Sequence, residues 1–245
     1  MRTSAAIFSL LSLFAGLSGP ASAQTEVDLE LVLLADATGS IDEAEIRFQR
    51  QGYAEAITHP EVLSAIQGSG NGRIAITYVE WGHAASQHVV VGWTLVESEE
   101  SARAFAEAVL PPPRLASGGN AIGSALLFGK GLIETNDYEG LRKVIDLSAD
   151  SAANFSGPPI EMARDAVIAA GITINGLAVL CRGCSGQPIN YDLEDAFRQR
   201  LIGGNRAFVV TAESAATFAL AVRRKLILEI AGRPLTLETA RAALD

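Results

Sequence analysis

Three short segments carry oxygen-bearing side chains at positions that suit a metal ion. Asp36, Thr38 and Ser40 alternate along one turn, so we expect their side chains to point the same way. Asp150 adds a second carboxylate, and Asn120 adds a neutral amide oxygen. All are hard oxygen ligands, with no thiolate or imidazole among them. Such a set suits Mg²⁺, Mn²⁺ or Ca²⁺ and disfavours zinc and copper.

These ligands leave the coordination of the ion incomplete. Two carboxylates and a few neutral oxygens neither fill nor neutralise the shell of a six-coordinate cation. Water or a carboxylate from another protein can then take the open position. The sequence therefore predicts a divalent cation, Mg²⁺ in the first place, that engages an acidic group on a partner protein. The alternative is that Asp36 and Ser40 only cap the helix that follows, since both residue types are favoured N-caps.

Alternating apolar runs and helical periodicity predict the elements that position these side chains. Several of the runs are nearly continuous Val, Ile and Leu, as in strands covered by helices on both faces. Strands are predicted at 29–35, 73–80, 88–93, 143–148, 172–180 and 206–211. Helices are predicted at about 43–57, 99–109, 122–133, 160–170, 191–202 and 213–230.

The connections between these elements predict the topology. Residues 81–87 are too few to hold a helix, so the second and third strands should form a hairpin with one antiparallel strand at an edge. The remainder reads as β-α repeats, which gives an α/β, doubly wound, mostly parallel sheet of about six strands. Ligands bind such sheets beyond the carboxyl ends of the strands, where the strand order reverses. Asp36, Asn120 and Asp150 should meet at that edge.

The chain resembles the von Willebrand factor type A domain over nearly all of its length after the N-terminal segment. The pattern Asp36-x-Thr38-x-Ser40 with the downstream Asp150 is like that family's metal-ion-dependent adhesion site (MIDAS). Similarity to a group of exported bacterial A-domain proteins of unassigned function is carried by Val79-Glu80-Trp81, Gly123-Ser124-Ala125-Leu126 and Asn175-Gly176-Leu177-Ala178.

The resemblance implies a doubly wound fold with a metal ion at its top edge and protein–protein binding as the usual activity. One position departs from the family pattern. Members with strong metal-dependent binding usually have a threonine after Gly-Gly, where this chain has Asn120. The amide oxygen of an asparagine can coordinate a cation, but the side chain is bulkier than that of a threonine. A degenerate, metal-independent site is therefore the alternative.

Composition excludes several classes of function. The chain has 245 residues, of which 49% are hydrophobic and 19% charged, so it can build a large core. Its formal net charge is −9, and no run of more than three Lys or Arg residues is present. A nucleic-acid binder needs a concentrated basic face. Nucleic acid and anionic membrane surfaces are therefore poor candidates for partners.

The N-terminal residues have the pattern of an export signal. Arg2 precedes an apolar stretch that is short for a membrane span, and Ala21-Ser22-Ala23 has the form of a cleavage site. The sequence thus predicts a signal peptide at 1–23, one domain at 27–232 and a polar C-terminal tail at 233–245. It also predicts a periplasmic or secreted protein that is not inserted in a membrane after cleavage, and leaves the oligomeric state open.

The cysteines and histidines suggest no strong enzymatic site. Cys181 and Cys184 form a Cys-x-x-Cys pair, which in an oxidising compartment is expected to be a small disulfide clip. A thiol oxidoreductase is the alternative, although that chemistry favours a cysteine at a helix N-terminus and this pair follows a predicted strand. His59, His83 and His88 show no ligand or triad spacing. We therefore expect a non-enzymatic binding module.

Overall fold

The structure is a computed structural model that describes residues 24–180 and 192–232. The predicted signal peptide at 1–23, the Cys181–Cys184 pair and the tail at 233–245 lie outside the described residues. The division into domains therefore remains a prediction.

The described residues contain eight strands. They are β1 (Thr25–Val27), β2 (Leu29–Asp36), β3 (Ile74–Trp81), β4 (Gln87–Val96), β5 (Tyr138–Gly140), β6 (Lys143–Ala149), β7 (Thr173–Val179) and β8 (Val209–Ala212). Six of them form one sheet in the order β4-β3-β2-β6-β7-β8, while β1 and β5 form a separate parallel pair. Within the large sheet only β3 and β4 pair antiparallel, with β4 at the edge. The predicted doubly wound sheet with an edge hairpin is confirmed.

Seven helices cover the two faces of the large sheet in the described part of the chain. They are α1 (Glu43–Ile57), α2 (Pro60–Gln67), α3 (Glu99–Val109), α4 (Ile122–Glu134), α5 (Ile160–Ala169), α6 (Leu193–Arg200) and α7 (Ala215–Ala231). The side chains of α1, α2, α3 and α7 pack in one core layer, and those of α4, α5 and α6 pack in the other. No helix of the described residues has the length and apolar character needed to cross a bilayer.

Helix α2 and the short strands β1 and β5 were not predicted, and the last strand begins later than expected. Helix α2 has eight residues and only Val62 and Ile66 are buried, which is too short a pattern to detect. His59 caps this helix, and Pro60 stands at its first position. The last strand begins at residue 209 rather than 206, because Arg206 adopts a left-handed conformation with φ 59° that a strand does not allow.

A group of charged side chains lies inside the core between α7 and the sheet. The Lys225 Nζ lies 2.6 Å from Asp146 Oδ1 on β6 and 2.6 Å from Glu229 Oε1 on α7, and at most 2% of each of these side chains is exposed. Asn175 on β7, which is paired with Asp146 in the sheet, donates from Nδ2 to Glu229 Oε1 at 3.0 Å. We call Asp146, Lys225 and Glu229 the buried triad. Two carboxylates face one ammonium group, so the net charge of the triad is −1, and binding one proton makes it neutral.

The triad predicts how the stability of the metal-free protein depends on pH. Burial is the main cause that raises the pKa of Asp146, to about 7; the Lys225 charge opposes this and Glu229 adds to it. The unfolded value is about 3.9, so between these values the folded state holds a proton that the unfolded chain releases. Stability from this group is present below pH 4 and is lost as the pH rises through 7. In a chelator, we expect a melting temperature a few degrees lower at pH 8 than at pH 5.5.

The substitution Asp146→Asn tests the source of this effect. The amide cannot titrate, so the difference between pH 5.5 and pH 8 should shrink. Asp165→Asn, which removes an exposed carboxylate of α5, should leave the difference unchanged. Thermal unfolding monitored by circular dichroism measures both variants. An unchanged difference in Asp146→Asn would assign the pH dependence to other groups.

Candidate metal site

The predicted ligands lie on loops at the carboxyl edge of neighbouring strands. Asp36 is the last residue of β2, and Asp150 follows the end of β6, with which β2 pairs in parallel. The order of the sheet reverses at this pair, since β3 lies on one side of β2 and β6 on the other. This is the place where doubly wound sheets bind ligands. The fold therefore brings the two carboxylates to one position.

Hydrogen bonds within the first loop fix its ligands. The Thr38 N–H donates to Asp36 Oδ1 at 2.9 Å, and Thr38 Oγ1 lies 3.1 Å from Ser40 Oγ. Gln49 on α1 donates from Nε2 to the backbone carbonyl of Asp36 at 3.1 Å. Asp36 and Thr38 are buried, and Ser40 is exposed. The Thr38 hydroxyl therefore lies inside the site, and the neighbouring Ser40 hydroxyl lies at its opening.

The structure does not support a simple helix cap as the role of Asp36 and Ser40. The N-cap of α1 is Asp42, whose carboxylate accepts from the N–H groups of Ala44 and Glu45. Glu45 returns a hydrogen bond to the Asp42 N–H at 2.8 Å, which completes a capping box. Because the first turn is already capped, Asp36 and Ser40 are available for another role.

Asp36 and Asp150 influence one another electrostatically. Burial, followed by the charge of Asp150, raises the pKa of Asp36 to about 7. Burial also raises the pKa of Asp150, although a hydrogen bond from the Ser40 side chain acts in the opposite direction. Two like charges in a buried place repel, and a cation between them removes the repulsion. The electrostatics of the site therefore favour a bound positive charge.

Unsatisfied oxygen atoms support the same conclusion. Within the described part of the chain, Asp36 Oδ2 and Asp150 Oδ1 are buried and lack a hydrogen-bond partner. Buried carboxylate oxygens without a partner carry a large desolvation penalty. No group of three or more His, Cys, Asp and Glu side chains in residues 24–180 and 192–232 is arranged to hold a metal ion. The two carboxylates of the site and its neighbouring hydroxyls are oxygen donors, which fit a hard divalent cation.

Asn120 lies on the loop that adjoins the first one. The Gly39 N–H donates to the Gly118 carbonyl at 2.8 Å, which joins the two loops. Asn120 is 6% exposed, and its side-chain Nδ2 has no hydrogen-bond partner among the described residues. The N and O atoms of an amide are assigned from their hydrogen bonds. An amide without such bonds can turn its oxygen toward a cation, so Asn120 can serve as the fifth ligand.

A family model matches most of the chain. The model described as a protein of unknown function, DUF1194, matches residues 26–234. The chain belongs to this family. A comparison of the DUF1194 chain with curated proteins found no match.

Solved structures show the fold of the DUF1194 chain. Proximal thread matrix protein 1 from mussel byssus, solved with a zinc-occupied MIDAS motif, aligns with a TM-score of 0.59 at 16% identity, over 85% of this chain and 49% of that one. A von Willebrand factor type A protein from Catenulispora acidiphila aligns with a TM-score of 0.57 at 20% identity, over 83% and 43%. The vWF domain of the type V pili tip protein Mfa5 from Porphyromonas gingivalis aligns with a TM-score of 0.55 at 10% identity, over 86% and 99%.

These similarities show that the DUF1194 chain has the von Willebrand factor type A fold, as its sequence predicted. Identities of 10% to 20% support the fold and not a shared ligand. The chain also spans less than half the length of two of these structures, at 49% and 43%.

Arg114 is a residue of the site that the sequence analysis did not single out. Its guanidinium donates to four backbone carbonyls, those of Ala37 (2.6 Å), Thr38 (2.8 Å), Ile41 (2.6 Å) and Ala116 (3.0 Å). Arginine presents several donors in a rigid planar group, so one side chain can hold two loops together. Arg114 therefore positions the Asp36–Ser40 segment of the DUF1194 chain against the loop that leads to Asn120.

We expect Arg114→Gln to weaken divalent metal binding about tenfold, because the first loop loses about 1 kcal/mol or more of positioning hydrogen bonds. Isothermal titration with Mg²⁺ or Mn²⁺ measures the dissociation constant. Arg73→Gln is a matched control, since Arg73 donates to the Glu26 carbonyl at 2.9 Å beside the opposite edge of the sheet. A lower melting temperature with an unchanged metal affinity would limit Arg114 to a structural role.

Proposed function

We propose that this protein is a non-enzymatic protein-interaction module that uses a divalent cation to bind a carboxylate on a partner protein. The cation would be held by Asp36, Thr38, Ser40, Asn120 and Asp150. The observation that carries this proposal is the pair of buried carboxylate oxygens, one each on Asp36 and Asp150, that have no partner among the described residues. They lie at the sheet edge where this fold class binds ligands.

Each residue of the site has a distinct part in the proposed function. A bound divalent cation supplies positive charge and open coordination positions. The Thr38 N–H holds Asp36 in place, and the Ser40 hydroxyl holds Asp150. With only two carboxylates, the site leaves room for a third from the partner. We propose Mg²⁺ as the ion, with Mn²⁺ or Ca²⁺ as alternatives; zinc enters the test because it occupies the motif of the mussel protein.

We also propose that the protein acts in the periplasm or outside the cell. The signal-like pattern of residues 1–23 supports this, as does the fold shared with a pili tip protein and a byssus protein. The net charge of −9 does not favour nucleic acid as a partner.

A metal-independent interaction module is the second candidate. Asn120 in place of the family's threonine favours it, because the bulkier amide can reduce metal affinity. In that case partner binding survives chelation. The thiol oxidoreductase alternative depends on Cys181 and Cys184, which lie outside the described residues.

Metal titration tests the proposed function directly. We expect Mg²⁺ or Mn²⁺ to raise the melting temperature relative to EDTA, because a ligand at one hundred times its Kd stabilises a folded protein by about 2.7 kcal/mol. Ca²⁺ and Zn²⁺ are compared in parallel. Asp36→Ala should abolish the increase, whereas Asp165→Ala should retain it. The absence of any stabilisation in the native protein would contradict the metal site and favour the second candidate.

A further inference from the structure

We propose that Phe155 forms an apolar contact surface beside the metal site, and that the partner protein therefore presents a carboxylate with an apolar side chain next to it. This inference rests on the proposed function and specifies its partner. The juxtaposition that carries it is an exposed aromatic ring held next to the Asn120 loop, which has no charged residue after Arg114.

The position of Phe155 is fixed by its neighbours. Its backbone N–H donates to the Asn120 carbonyl at 2.7 Å, and a Cβ placed on Gly119 would lie 3.6 Å from Phe155 Cδ2. The side chain of Asn154 accepts from the Gly123 N–H at 3.2 Å and donates to the Pro158 carbonyl at 3.0 Å. The ring therefore stands at a defined place beside the Asn120 loop.

Phe155 is exposed to an unusual extent for a large aromatic residue. The residue is 75% exposed. When a partner covers an exposed aromatic ring, the apolar surface leaves water and the free energy of binding becomes more favourable. Such residues often dominate the energy of protein interfaces. A ring exposed next to a ligand-binding position therefore has a direct use in partner recognition.

The charges around the site give it two different sides. On the Phe155 side, the sequence has no charged residue between Arg114 and Lys130 or between Asp150 and Glu161. On the other side, the N-cap Asp42 and the first residue of α1, Glu43, are both exposed. A second acidic group of a partner is repelled on the α1 side. On the Phe155 side the nearby Arg200, which donates to the Ala152 carbonyl at 3.2 Å, is already paired with Glu161, so an apolar group there meets no unpaired charge of these segments.

Two small carboxylates test the inference without a known partner. Acetate and 3-methylbutanoate share the carboxylate, but the second carries three more carbon atoms. With Mn²⁺ bound and the protein in excess, broadening of the methyl proton signals reports binding of each acid near the ion. We expect 3-methylbutanoate to bind about fivefold more tightly than acetate, from partial burial of its alkyl group.

The substitution Phe155→Ser should remove this preference while the affinities for Mn²⁺ and for acetate stay the same. Leu141→Ser is the matched control, because Leu141 is 76% exposed but precedes β6 at the opposite edge of the sheet. This control should keep the fivefold preference.

The outcomes separate the two proposals. Equal binding of both acids by the native protein, or a preference that persists in Phe155→Ser, overturns the apolar contact. A loss of Mn²⁺ affinity in Phe155→Ser overturns it as well, because the residue would then support the metal site itself. Absence of acetate binding to the Mn²⁺-loaded native protein overturns the proposed function. If the protein forms a Mn²⁺-dependent dimer and Phe155→Ser dissociates it, the surface binds a second copy of this chain, and the proposal of a different partner protein is overturned.

Discussion

Lys225→Met should destabilise the protein by about 3–5 kcal/mol, because it leaves two buried carboxylates without their cation. Methionine has a similar length, so the loss is electrostatic rather than steric. Lys225 is fully buried, and Asp146 and Glu229 are 1% and 2% exposed. Neither acid can therefore regain its hydration without local unfolding. Urea denaturation at pH 8 measures the free energy of unfolding.

Arg224→Met is the matched control for this prediction. Arg224 is the preceding residue of α7 and carries the same charge, but it is exposed, so its removal should change stability by less than about 0.5 kcal/mol. The penalty of Lys225→Met should be smaller at pH 5.5, because burial raises the pKa of Asp146 and that acid is then largely protonated. A combined Lys225→Met, Asp146→Asn and Glu229→Gln variant should regain much of the loss. A single variant within 1 kcal/mol of the native protein would show that the triad contributes little net energy.

Asp150→Asn should have opposite effects in the absence and in the presence of metal. In EDTA we expect a stabilisation of about 1–2 kcal/mol, because the amide removes a buried like charge beside Asp36. In Mg²⁺ we expect the variant to show no further stabilisation, whereas the native protein gains about 2.7 kcal/mol at one hundred times its Kd. The order of stability of the two proteins should therefore reverse on addition of metal.

Thermal unfolding in EDTA and in Mg²⁺ measures this reversal. Asp165→Asn, on the exposed surface of α5, should follow the native protein under both conditions. If Asp150→Asn is less stable than the native protein in EDTA and gains as much stability from Mg²⁺ as the native protein does, then Asp150 contributes to folding and not to metal binding. This design separates a functional site, which is retained at a cost in stability, from a structural one.

The fold was predictable because its signals are local in the sequence. All eight residues of β2 are buried, and the sequence shows this as a nearly continuous apolar run. The short segment between β3 and β4 allows only a hairpin. Helix α2 was missed, since eight residues with two buried positions contain too little periodicity.

The buried triad shows where local signals fail. Lys225 follows Arg223 and Arg224, a run of cations that normally indicates a solvated helix face. Only the packing of α7 against β6 and β7 places Lys225 beside Asp146. A contact between residues that are 79 positions apart leaves no trace in the sequence near either of them.

The sequence by itself determined the doubly wound fold and the oxygen donor set of the candidate metal site, because apolar periodicity and oxygen ligand types are properties of short segments. The tertiary structure alone decided that Asp36 and Asp150 retain unpaired oxygens, that Asp42 rather than Asp36 or Ser40 caps α1, and that Arg114 holds the loop. It also decided that Phe155 stands exposed next to Asn120. These features depend on strand order and on contacts between distant loops, which are fixed only when the whole chain is packed.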